Sequence, residues 1–129
     1  MAFICPCLYT SECPQIKNIN PKFLKIEVVQ LDNSDFVFER LAKKSATCVL
    51  LLNHDSSKFF LVKQFRAGIT DEIWEVPAGI LEDSLTPEEN TLKEIEEETG
   101  YNKEDIYNLN LLYSGFVSPG YTSENMFIF

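Results

Sequence analysis

The chain has 129 residues, with 20 acidic and 11 basic side chains, a formal net charge of −9 and 45% hydrophobic residues. That length fits one domain core, and 12% aromatic residues exclude disorder along the whole chain. The acidity argues against non-specific binding to nucleic acid or an anionic membrane. It leaves room for a phosphorylated substrate, because a divalent cation can bridge carboxylates to phosphate.

No apolar run approaches the roughly 18 residues of a membrane span. The start, MAFICPCLYT, lacks the basic n-region of a secretory signal, so a cytoplasmic location is expected. Residues 1–21 hold Pro6, Pro14 and Pro21 without a clear period and read as an irregular arm. Cys5, Cys7 and Cys13 fall in this arm. Their spacing differs from paired zinc hooks, so reduced thiols are expected.

Apolar alternation from Phe23 to Gln30, turn chemistry at Asp32–Asp35 and a second run from Phe36 to Leu41 predict an antiparallel hairpin over 22–44. Ala46–Leu52 and Lys58–Phe65, separated by the turn Asn53–Ser57, predict a second hairpin. Further strands are predicted at Glu72–Val76, Leu109–Val117 and Met126–Phe129. One helix is predicted over Pro87–Thr99. Thr86 and Glu89 form a capping box, Pro87 suits the first turn, and Gly100 suits the left-handed C-cap. Glu88, Leu92, Ile95 and Thr99 form its expected packing stripe, and Glu94, Glu97 and Glu98 share another side.

Those three carboxylates lie near the helix C-terminus, where like charges and the macrodipole both disfavour them. A bound divalent cation would reverse that sign, and hard oxygen ligands suit Mg²⁺ or Mn²⁺. The solvated acidic face is the competing explanation. The stretch from Gly79 to Tyr101 resembles the Nudix hydrolase signature, G-x5-E-x7-R-E-U-x-E-E-x-G-U. Gly79, Glu94, Ile95, Glu97, Glu98, Gly100 and Tyr101 fall in register, whereas Leu85 and Lys93 replace the first Glu and the Arg. In the family those two residues commonly form a structural ion pair. Lys93 lacks a bidentate fork and Leu85 lacks a charge, so a weakened clamp on the loop before the helix is expected. The blocks Val62–Arg66, Trp74–Gly79 and Ser118–Glu124 are similar to the ADP-ribose pyrophosphatase branch.

This resemblance implies an α+β fold: a Nudix-like α/β/α sandwich with a mixed sheet over 45–129, preceded by the N-terminal hairpin as a dimerisation element. A complete domain of that branch would continue with more strand, a loop acid and a closing helix, so the C-terminal part of the fold is expected to be missing. The resemblance also implies Mg²⁺, or Mn²⁺, held by Glu94, Glu97, Glu98 and the carbonyl of Ala78. Glu97 and Glu98 would be catalytic, with the identity of the base open between the carboxylates. Arg66, Trp74, Glu75 and Glu124 would contact substrate, although Trp74 is equally well accounted for as core. The implied reaction is hydrolysis of a nucleoside diphosphate sugar, ADP-ribose foremost, by a homodimer. A module that binds nucleotide sugar or metal without efficient turnover is the alternative.

Overall fold

The computed structural model describes Gln15–Ile19 and residues 24–129, the side chains of Gln15–Ile19 excepted. Cys5, Cys7 and Cys13 lie outside the described residues. The chain divides into two units.

The first unit contains the strands up to Lys43 together with Ser118–Ser123. Strands β1 (Gln15–Ile19), β2 (Ile26–Gln30) and β3 (Val37–Leu41) form an antiparallel sheet in that order. The expected hairpin is therefore present as β2–β3, with Glu27 opposite Arg40. From sequence Gln15–Ile19 is expected to belong to the irregular arm. It is instead paired with β2, Gln15 lying opposite Gln30. Its five residues, QIKNI, carry no apolar alternation of their own, and the strand is set by its pairing with β2, the next strand along the chain. Ser118–Ser123 runs beside β3. Leu41 N–H donates to the Tyr121 carbonyl at 2.8 Å, and Ser123 N–H donates to the Leu41 carbonyl at 3.0 Å.

The second unit contains Lys44–Val117 and Glu124–Phe129. Its mixed sheet has the order β7 (Ala78–Ile80), β4 (Ala46–Cys48), β9 (Asn125–Ile128), β8 (Tyr113–Phe116). Strand β4 pairs antiparallel with β7 and parallel with β9. Strands β5 (Val62–Arg66) and β6 (Asp71–Glu75) form a separate antiparallel ribbon. The second hairpin expected from sequence is present in short form, with Leu52 bridged to Phe59, Asn53 N–H donating to the Lys58 carbonyl at 3.0 Å and Phe60 N–H to the Leu51 carbonyl at 2.9 Å. Ala46–Cys48 instead takes its partners from β7 and β9, because both of its edges are buried between them and each edge needs a ladder.

Helix α1 (Pro87–Thr99) has the predicted bounds. The Thr86 hydroxyl accepts from Glu89 N–H at 3.2 Å, and the Glu89 carboxylate accepts from Thr86 N–H at 2.8 Å. Gly100 closes the helix at φ 79°, a left-handed geometry that favours glycine. Of the expected stripe Ile95 is buried, Leu92 and Thr99 are half-buried and Glu88 is exposed, and Asn90 and Thr91 are buried besides. Ile95 packs with Val49, Leu51 and Phe129 to form the core, flanked by Phe60, Ile106, Leu109 and Phe127. Asn90, fully buried, is a polar tie. Its amide donates to the Thr47 hydroxyl at 3.1 Å, and its oxygen accepts Glu82 N–H at 3.0 Å. Among the described residues no helix is long and apolar enough to cross a membrane.

Candidate active site

Among the described residues strand β7 is the outer strand of its sheet, and only alternate residues of its neighbour β4 bond to it. Val49 N–H donates to the Pro77 carbonyl at 3.0 Å and Leu81 N–H to the Ser45 carbonyl at 2.9 Å. In this antiparallel register Ala78, opposite Cys48, falls at a non-bonded pair. Its N–H and its carbonyl therefore both point away from β4, towards the open edge. Helix α1 lays two carboxylates along that edge. Glu98 Oε2 accepts Ala78 N–H at 3.0 Å, and Glu98 Oε1 accepts from Gln64 Nε2 at 2.6 Å. One turn earlier, Glu94 sits against Gly79 so closely that a Cβ there would overlap its carboxylate. Burial raises the pKa of Glu94 above the usual carboxylate value; nearby Lys93 opposes this, and the charges of Glu97, Glu98 and Glu82 reinforce it.

The ribbon supplies the cation. Gln64, Arg66 and Glu75 share one ribbon face by strand alternation. Arg66 Nε donates to Glu75 Oε1 and Oε2 at 3.0 and 2.8 Å, and Nη2 also donates to Oε2. These bonds raise the Arg66 pKa, burial opposes the rise, and the charges of Glu75 and Glu98 add to it. Trp74 alternates to the other face, opposite Lys63, and is 65% exposed. It is neither core nor brought together with Arg66 and Glu75. Its neighbours on that face, Lys63, Phe65 and Glu72, are exposed as well.

Glu97 is turned aside. Lys93 Nζ lies 3.0 Å from its carboxylate and 3.1 Å from Glu82. The Lys93 pKa is raised, first by the hydrogen bond to Glu97 and then by that to Glu82. The expectation of a clamp weakened by Leu85 is thus modified, because Lys93 finds an acid in Glu82, three residues before Leu85. Glu124 sits half-buried immediately before β9, its carbonyl accepting Val117 N–H at 3.1 Å. Sequence reasoning missed Gln64 and Asn90. Gln64 lies in a block already singled out, but nothing local in the sequence marks a glutamine as a carboxylate's partner.

Among the described residues no group of three or more His, Cys, Asp or Glu is gathered as a metal site. What the fold does gather is two carboxylates and an outward carbonyl around one small-residue peptide, Ala78–Gly79. This hard-oxygen set fits Mg²⁺ or Mn²⁺ in its chemistry, and the missing Cβ of Gly79 leaves the space that Glu94 uses. A separate groove of about 860 Å³, lined by Leu50, Leu52, Phe60, Tyr101, Tyr107 and Leu112 among others, contains none of the predicted site residues.

Known proteins resemble the chain in sequence and in fold. The chain is 35% identical over 106 residues to an ADP-ribose pyrophosphatase of Bacillus subtilis (strain 168), covering 82% of this chain and 56% of that protein. It is 31% identical over 101 residues to a methanol dehydrogenase activator of Bacillus methanolicus, covering 78% and 53%. The chain therefore spans about half the length of these curated relatives. A solved structure described as an ADP compounds hydrolase superposes with a TM-score of 0.73 at 20% identity, covering 92% of this chain and 66% of that one, which supports the fold. A family model described as NUDIX domain matches residues 42–129. With the signature on β7 and α1, the match over more than half its length places this chain in the NUDIX domain family.

Proposed function

We propose that the chain hydrolyses the pyrophosphate bond of a nucleoside diphosphate sugar, with ADP-ribose giving AMP and ribose 5-phosphate, and that it depends on Mg²⁺. The observation that carries this reading is the convergence of Glu94 and Glu98 on the outward edge of Ala78–Gly79, beside Arg66. Glu94, Glu98 and the Ala78 carbonyl would hold the cation. When bound, Mg²⁺ neutralises diphosphate charge and lowers the pKa of a coordinated water. Gln64 keeps Glu98 oriented by donating to Oε1. Arg66, oriented by Glu75, is the cation available to a diphosphate oxygen, for which its planar fork is suited. Glu124 completes the proposed substrate contacts, and Glu97 or Glu98 takes the water's proton.

A second reading, binding without efficient turnover, draws support from Glu97, whose carboxylate is engaged by Lys93. A turnover assay beside calorimetric titration with ADP-ribose separates the two. Mg²⁺-dependent AMP release that Glu98→Gln lowers by about 100-fold or more supports catalysis. Undiminished release by Glu98→Gln rejects the site, and binding without release favours the second reading. The proposal extends to a cytoplasmic homodimer built through the N-terminal sheet. The apolar side chains of Phe36, Val37 and Phe38 are exposed there, as an interface requires. Sedimentation at the monomer mass would overturn the dimer.

A further inference from the structure

The loop between β7 and α1 is held to the helix at one residue, twice over. The backbone N–H of Glu82 donates to Asn90 at 3.0 Å, and its carboxylate lies 3.1 Å from the Lys93 ammonium. Asn90 is itself anchored to Thr47 of β4, so the backbone attachment is part of the core. The side-chain attachment is different in kind. Lys93 also meets Glu97 at 3.0 Å, but a lysine placed N-terminal to its i,i+4 glutamate is the weaker orientation on a helix. Glu82 therefore gives Lys93 a partner outside its own helix. Leu85, the nearer loop position, carries no charge that could do so. The neighbour of Lys93 is Glu94, whose carboxylate rests on Gly79 in the strand that leads into the same loop.

We propose that Glu82 is a positioning residue: through Lys93 it fixes the loop following β7, and so sets how Gly79 and the Ala78 carbonyl meet Glu94. The pair acts on the geometry of the cation-binding edge without touching the cation. Its functional readout rests on the reading of that edge as a divalent-cation site, and its structural readout does not. Both side chains are about half exposed, so substitutions at either leave the core intact.

The test is a double-mutant cycle with Glu82→Gln, Lys93→Met and the two combined, read by amide hydrogen exchange and by Mn²⁺ binding followed by electron paramagnetic resonance. The amide to watch is Leu85, which donates to the Glu82 carbonyl at 3.1 Å. Each single variant should speed Leu85 exchange and weaken Mn²⁺ binding by about two- to fivefold, the usual worth of a half-exposed ion pair. The combined variant should lose little more than Lys93→Met alone, because that substitution already removes the contact to Glu82. Lys93→Arg, which keeps the cation, should bind Mn²⁺ like the unaltered chain. Unchanged exchange and affinity in Glu82→Gln, or losses that add in the double variant, would overturn the proposal. If the unaltered chain binds no Mn²⁺, the cation-site reading fails, while the exchange cycle still decides the role of Glu82.

Discussion

Two single residues carry most of the precision of the site. Gly79 matters for the atom it lacks. Gly79→Ala forces the Glu94 carboxylate to move, and because that group is the far end of a flexible side chain, the fold loses little. The expected outcome is a melting temperature within a few degrees of the original and cation affinity reduced about tenfold or more, a change expected when a supporting contact of a ligand is lost. Calorimetry on both properties checks the split. Asn90 shows the opposite pattern. It is buried with both ends bonded, so Asn90→Ala orphans the Thr47 hydroxyl and the Glu82 N–H. Urea unfolding should show a loss of about 2–3 kcal/mol. A loss under 1 kcal/mol would mean that water replaces the amide.

At the scale of elements, legibility followed locality. The bounds of α1 were readable because its capping box and glycine stop lie within the segment itself. Thr86→Ala should lower unfolding free energy by about 1 kcal/mol, measured by thermal denaturation. The sheet was less readable. Strand β7 is only three residues long, begins straight after Pro77 and owes its existence to β4, so no period announces it. The same holds for β1 and for the partners of β4. The site was half legible: Glu94 and Glu98 came from the signature, whereas Gln64, Asn90 and the pairing of Lys93 with Glu82 depend on tertiary approach. In the first unit, Arg40 donates to Glu27 Oε2 at 3.0 and 2.9 Å, which holds the Glu27 pKa below its ordinary value. A lowered carboxylate pKa stabilises above the unfolded value near 4.5 and is lost as pH falls through the folded one. Stability should therefore decline below about pH 4.5, with a shallower decline in Glu27→Gln.

For the molecule as a whole, charge is localised. From Glu82 to Glu98 the chain carries eight acids and one base, seven of its nine net negative charges. This segment is the β7–α1 loop and most of the helix, so the net acidity belongs mainly to the two elements that follow Ala78–Gly79. A cation bound there lowers the energy of the native state alone. Mg²⁺ at about one hundred times its Kd should add about 2.7 kcal/mol of stability, seen as a rise in Tm that Na⁺ at equal ionic strength does not reproduce. No rise would count against the site.

The open edge of β7 has another consequence, in the protein's solubility. An unpaired strand edge is a template on which a second chain can add its own strand and begin a fibre. Glu98 occupies the Ala78 N–H through which such a strand would dock, and its charge repels the acidic surface of any incoming copy. The carboxylate proposed to serve the reaction thus also guards the edge against cross-molecular pairing. Glu98→Ala should shorten the lag of aggregation at high concentration, even in a medium that contains no divalent cation.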